Sequence, residues 1–178
     1  AGSWHSIAQH MIRPAVPPAE TGHGYRLLYV VPVPIEVFWR FKTDFANTWV
    51  LTNRFITAHR LVARDERRAV TEAHYSHRPG AVFRWETLLI PERRRLEFRL
   101  VNPAECGQRF NHGAIQLSPL GGSTRVEHTA YFDFPGAFFW YHYPWAGGMR
   151  EFLDYTARWE QATAVRWQAH YERAAPAP

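Results

Sequence analysis

The chain has 178 residues, 46% of them hydrophobic, and a net charge of +5, which fits one domain with short tails. An aromatic content of 16% excludes a disordered chain and requires a large core, a ring-lined cavity or both. The single cysteine, Cys106, excludes a disulfide framework and a multi-cysteine metal site, and no apolar run approaches the roughly 18 residues of a membrane-spanning helix.

Residues 1–23 carry Pro14, Pro17 and Pro18 and no periodicity, and read as a flexible lead-in. Met11 is an expected natural start, residues 1–10 then being an expression leader. The domain proper is expected over 24–173, with a flexible tail at 174–178. Tyr25–Val33 is rich in β-branched and aromatic residues and reads as a strand. Pro34 can open a helix. Val37, Phe38, Phe41, Phe45 and Trp49 then recur at helical spacing, with a break near Asn47. Strand-like runs follow at about 54–64, 68–78, 81–91, 94–102, 108–118 and 123–134, joined by short connections, as in an antiparallel meander. Last, Met149, Phe152, Leu153, Thr156, Trp159, Thr163, Trp167 and His170 mark one face of a long helix over 147–173. Arg150, Asp154, Arg158 and Gln161 fall away from it.

Strand, two short helices, six strands and a long helix make an α+β domain. A strongly curved antiparallel sheet of about seven strands wrapped round the C-terminal helix satisfies both apolar faces. This order resembles the helix-grip fold of the START, Bet v 1 and polyketide-cyclase superfamily. The opening Val31-Pro32-Val33-Pro34-Ile35-Glu36-Val37-Phe38 and the hairpin Gly121-Gly122-Ser123-Thr124-Arg125-Val126 carry the same resemblance, which spans about 24–173. It implies an apolar cavity between sheet and helix. The ligand would be a lipid, sterol, hormone or polyketide, and some members catalyse cyclisation, aromatisation or dehydration.

Alternation and turn placement predict which side chains face that cavity. Arg84-Trp85-Glu86 and Glu97-Phe98-Arg99 alternate charge with ring, so Glu86 should oppose Arg99 outside while Phe83, Trp85, Leu96, Phe98 and Leu100 point in. Counting back across Pro79-Gly80 sets His74 opposite Trp85, with Glu72 and Ser76 also inward and Tyr75 and His77 outward. Counting across Asp65-Glu66 sets His59 opposite Glu72, with Phe55, Thr57 and Leu61 inward. Val126, His128, Ala130, Phe132 and Phe134 form the apolar phase of the last strand, and a turn near Leu120 sets His112 opposite His128. A one-residue slip in any turn flips a whole strand.

The inner face would thus combine rings with His59, Glu72, His74, Gln116, His112 and His128. Buried ionisable groups need partners, so this exceeds what a plain core carries. A His59–Glu72 pair would supply general acid–base chemistry, with His74, His112 or His128 acting on a carbonyl. Trp85, Phe98, Phe132, Phe152, Thr156 and Trp159 would hold a flat, greasy ligand and exclude water. Three His and one Glu would also make a metal ligand set, but no HxH or HExxH spacing supports it. No cofactor is expected, and no phosphate loop, G-x-S-x-G elbow or dinucleotide fingerprint is present. Arginines alternate with acids, as in Asp65-Glu66-Arg67-Arg68 and Glu92-Arg93-Arg94-Arg95. That pattern belongs to solvated turns rather than to a nucleic-acid stripe.

The expected partner is therefore a hydrophobic small molecule, with a homodimer left open. The lack of a secretory h-region leads us to expect a cytoplasmic location. The functional expectation is a cyclase, aromatase or dehydratase. The alternative is a non-catalytic carrier or sensor, for which each histidine is an ordinary core or rim residue. The aromatic run Phe138 to Trp145 reads as a lid over the cavity mouth, the alternative being a membrane-touching or partner-touching patch, and Cys106 reads as a plain loop thiol.

Overall fold

A computed structural model describes residues 12–14, 22–142 and 148–173. Eight antiparallel strands form one sheet: β1 (Ile12–Pro14), β2 (His23–Val31), β3 (Ile56–Arg64), β4 (Arg68–Tyr75), β5 (Phe83–Ile90), β6 (Arg95–Leu100), β7 (Phe110–Leu120) and β8 (Ser123–Asp133). Their spatial order is β1-β2-β8-β7-β6-β5-β4-β3. The six-strand meander is as expected, and β2 crosses over to pair with β8. The three residues of β1 pair with β2, Ile12 opposite Leu27, and add an eighth strand at the edge.

Helix α1 (Ile35–Thr43) follows β2. It buries Val37, Phe38 and Phe41, and places Glu36 in its first turn with Arg40 and Lys42 in its last, in keeping with the helix dipole. The chain leaves the helix at Asp44. Asn47 Oδ1 then caps Val50 N at 2.9 Å, starting the 3-10 turn Trp49–Thr52. A short helix α2 (Ala137–His142) precedes the long α3 (Met149–Arg173).

Helix α3 packs on α1 and β2. Its sealed residues Leu153, Ala157, Ala164 and Tyr171 meet Leu27, Tyr29, Val31, Phe38 and Phe41 in one core. Phe41 stacks on Trp49 with centroids 4.0 Å apart. The Trp49 indole N–H donates to Tyr171 Oη at 2.9 Å, and that hydroxyl donates to Asp44 Oδ2 at 2.7 Å. A second, smaller cluster of Phe83, Leu100 and Cys106 closes the far end, with Tyr75 and Trp85 against it. The Cys106 thiol is buried there and directed at the Val82 carbonyl, and burial raises its pKa. None of the described helices is long and apolar enough to cross a membrane.

Candidate functional site

The charged hairpin falls as its alternation requires. Glu86 pairs with Arg99, and Trp85 with Leu100, so Phe83, Trp85, Leu96, Phe98 and Leu100 lie on the concave face. Arg68 and Arg99 both bind Glu86 and hold its carboxyl below the usual range.

The next strand is in the opposite phase to that expected. Glu72 pairs with Arg84, and Thr71 with Trp85, so Glu72 and His74 are on the convex face. Arg60 and Arg84 hydrogen-bond Glu72 and lower its pKa. Tyr75, expected outside, turns in and accepts a 2.8 Å hydrogen bond from the Trp85 indole. Burial pushes the Tyr75 phenol up to about 12.

His59 is inward but does not face Glu72. It pairs with Ala73, and its Nε2 donates to the Phe45 carbonyl at 2.8 Å. No His59–Glu72 couple therefore forms, because the two side chains leave opposite faces of the sheet. Thr57, also expected inward, is exposed and donates to the His74 carbonyl.

On the last hairpin, Leu120 pairs with Ser123 around Gly121-Gly122, which brings Ile115 rather than His112 opposite His128. His112 and Gln116 consequently face out. Both lie in a polar cleft of about 370 Å³ on the convex face, together with Arg26, Arg95, Glu97, Glu127 and Tyr131. A larger opening of about 570 Å³ lies between Ala104–Arg109 and Asp133–Pro135, beyond the sheet end. The imagined ligand set of three His and one Glu is split across the two faces. Among the described residues no three His, Cys, Asp or Glu side chains converge on one point.

His128 does face inward, opposite Leu27 on β2. Its ring lies 5.4 Å from Phe98 and 5.9 Å from Tyr25. Burial, reinforced by the Lys42 charge, lowers its pKa to about 4 against the opposing pull of Glu160, so it is a neutral imidazole at neutral pH. The ring contacts continue in both directions. Phe98 meets Trp85 at 5.8 Å, Tyr25 meets Phe132 at 6.2 Å, Phe132 meets Trp140 at 5.3 Å, and Trp140 meets Phe152 of α3 at 5.7 Å. Trp85, Phe98, His128, Phe152, Thr156 and Trp159 are half-buried, whereas Leu89, Leu96, Leu117 and Val126 nearer the hairpin turns are sealed. The half-buried Trp85 and Phe98 thus lie between the sealed main core and the smaller Phe83–Leu100–Cys106 cluster. Thr156 Oγ1, on α3, is buried without a hydrogen-bond partner. The Trp159 indole donates to Thr52 Oγ1 at 2.9 Å.

Phe138 and Phe139 on α2 are exposed, while Trp140 packs inward. The rest of the aromatic run, 143–145, lies outside the described residues, as does most of the lead-in and the tail.

A second polar centre escaped the sequence reading. Glu160 of α3 is 4% exposed. Its Oε1 accepts from Tyr29 Oη at 2.5 Å and its Oε2 from Lys42 Nζ at 2.8 Å. Burial and the Glu160 charge raise the Tyr29 phenol far above its ordinary pKa. Three elements thus share one buried ion pair. Two signals pointed to it: Lys42 is the only lysine in the chain, and Glu160 continues the buried series Leu153, Ala157, Ala164 at helical spacing. Gln161, expected to face away, donates to the Val30 carbonyl at 2.8 Å.

No family model and no curated protein matches this sequence. Solved structures do match in fold. A START superfamily protein from Mycobacterium smegmatis is 16% identical, covers 82% of this chain and 99% of that one, and has a TM-score of 0.60. The Zhui aromatase/cyclase from a Streptomyces species is 14% identical, with 81% and 94% covered and a TM-score of 0.57. Norcoclaurine synthase from Thalictrum flavum is 11% identical, with 89% and 91% covered and a TM-score of 0.58. At these identities the likeness concerns the fold.

Proposed function

Because the chain has the helix-grip fold of the START and Bet v 1-like proteins, we propose that it binds an apolar, aromatic small molecule between the concave sheet face and α3. One observation carries this reading: Trp85, Phe98 and His128 point inward yet remain half-buried, and the Thr156 hydroxyl of the facing helix has no hydrogen-bond partner. Rings hold a flat ligand by area. The hydroxyl and the neutral imidazole offer it two hydrogen bonds without demanding charge. Native mass spectrometry of protein purified from its own host tests this. A co-purifying small molecule that is lost in Trp85→Ala supports the reading, and ligand-free protein that also takes up no aromatic probe overturns it.

A second reading, an enzyme of the cyclase, aromatase or dehydratase kind, is favoured by His128. Held neutral among rings, its imidazole N–H could donate a hydrogen bond to a carbonyl oxygen and stabilise negative charge that develops there. The placement of Glu72, His74 and His112 narrows the acid–base set to His128, with His59 at the rim. If His128 is catalytic, His128→Gln should cut turnover of the bound compound by roughly 100-fold while leaving its affinity nearly unchanged. Full turnover in that variant would leave a carrier or sensor as the function.

A further inference from the structure

Glu160 stands one helical turn beyond Thr156 on the same side of α3. Glu160 is itself sealed. Lys42 is only 15% exposed at its side chain, and its ammonium is taken up by the Glu160 carboxylate. Tyr29, which binds the other carboxylate oxygen, is diagonal to His128 across the β2–β8 pair: Leu27 opposes His128 and Tyr29 opposes Val126. His128 senses both charges. Arg60, Arg68, Arg84 and Arg99 are bound to carboxylates on the convex face, and Arg64 donates to the Thr43 carbonyl. Among the described residues Lys42 is the cation whose charge acts on His128, and it already holds a carboxylate supplied by the protein.

We infer that Glu160 is a specificity-determining residue of the enclosed space: by occupying Lys42 with its own carboxylate, it restricts the ligand to uncharged molecules. The inference rests on the binding role proposed above. A ligand carboxylate entering beside His128 would lose its water and find no unpaired cation, a cost that an ester or phenol of the same shape escapes. The neutral imidazole and the Thr156 hydroxyl can still hydrogen-bond such a ligand. Glu160 thus acts as a built-in anion, and its removal should turn a site for neutral ligands into one for anions.

The test uses three probes of one shape, 2-naphthol, methyl 2-naphthoate and 2-naphthoate, measured by equilibrium dialysis at neutral pH. The wild-type protein should bind the phenol and the ester and bind the carboxylate at least about ten-fold more weakly. Glu160→Gln frees the Lys42 ammonium and should raise carboxylate affinity relative to the ester by about ten-fold or more. Adding Lys42→Met should restore the preference for the neutral probes. An unchanged ratio in a folded Glu160→Gln variant overturns the assignment. Should that variant not fold, equal wild-type affinity for acid and ester overturns it on its own. If neither ester nor phenol binds, the enclosed binding space itself is refuted, and the role of Glu160 with it.

Discussion

Lys42 Nζ lies 2.8 Å from Glu160 Oε2, so the chain's only lysine is committed to a partner 118 residues away. The pair ties the end of α1 to the middle of α3, and Tyr29 ties both to β2. Removing one member leaves the other charge buried and unpaired, a loss of about 3–5 kcal/mol. Lys42→Met and Glu160→Leu should each destabilise on that scale in urea unfolding. The double variant should lose much less than the two together, because no orphan charge remains.

His128 sets a pH dependence. Its folded pKa of about 4 lies below the ordinary 6.5, so between those values the unfolded chain binds the proton that the folded chain refuses. Stability should therefore rise with pH across that window, and it falls on acidification from about 6.5 towards 4, by up to about 3 kcal/mol. Surface carboxylates such as Glu72 and Glu86 add their own acid sensitivity at lower pH. The informative quantity is then the difference from His128→Gln, in which this contribution should vanish. Equal pH slopes for the two proteins across that window would show that His128 titrates normally.

Gly113 lies where β7 meets β8. A Cβ there would come within 2.0 Å of the Thr129 carbonyl oxygen and 2.6 Å of Phe98 Cζ. The first neighbour is backbone and cannot yield without opening the ladder. Gly113→Ala should cost about 1–3 kcal/mol, the range of overpacked cores, and should displace the Phe98 ring. Thermal unfolding checks the first effect and loss of aromatic-probe binding the second.

The two faces should respond differently. Trp85→Ala and Phe98→Ala should weaken binding of an uncharged aromatic probe by about ten-fold or more, since each removes a wall of the proposed binding space. Glu72→Gln and Glu86→Ala change exposed ion pairs on the other side of the sheet and should leave probe affinity unaltered. Parallel dialysis measurements on the four variants decide it.

How far these faces were legible follows from the turns. Arg84-Trp85-Glu86 and Glu97-Phe98-Arg99 carry their register in their own alternation, and Glu86 does oppose Arg99. Between β4 and β5 there is no such guide. The chain does not turn tightly at Pro79-Gly80, because Ala73 already pairs with Phe83. The resulting odd-numbered slip sends Glu72 and His74 outside. The bulge between Leu61 and Ala63 introduces a second odd shift, which cancels the first and returns His59 to the inside. The tight turn at Gly121-Gly122 moved His112 but not His128, whose phase was fixed by its apolar neighbours Val126, Ala130 and Phe132. Glu160 was missed for a different reason. A charged residue on an apolar helical stripe reads as an exception until the side chains that neutralise it, here from β2 and α1, are placed beside it.

The central claim is that an uncharged aromatic ligand sits against Trp85, Phe98 and His128 on the concave face. Intermolecular NOEs in the complex with 2-naphthol test it most directly. The account requires contacts from the probe to the Trp85 indole, the Phe98 ring and Phe152, with the His112 and Tyr131 signals of the convex cleft unmoved. Contacts confined to His112 and Tyr131, or no contacts at saturating probe, would contradict it.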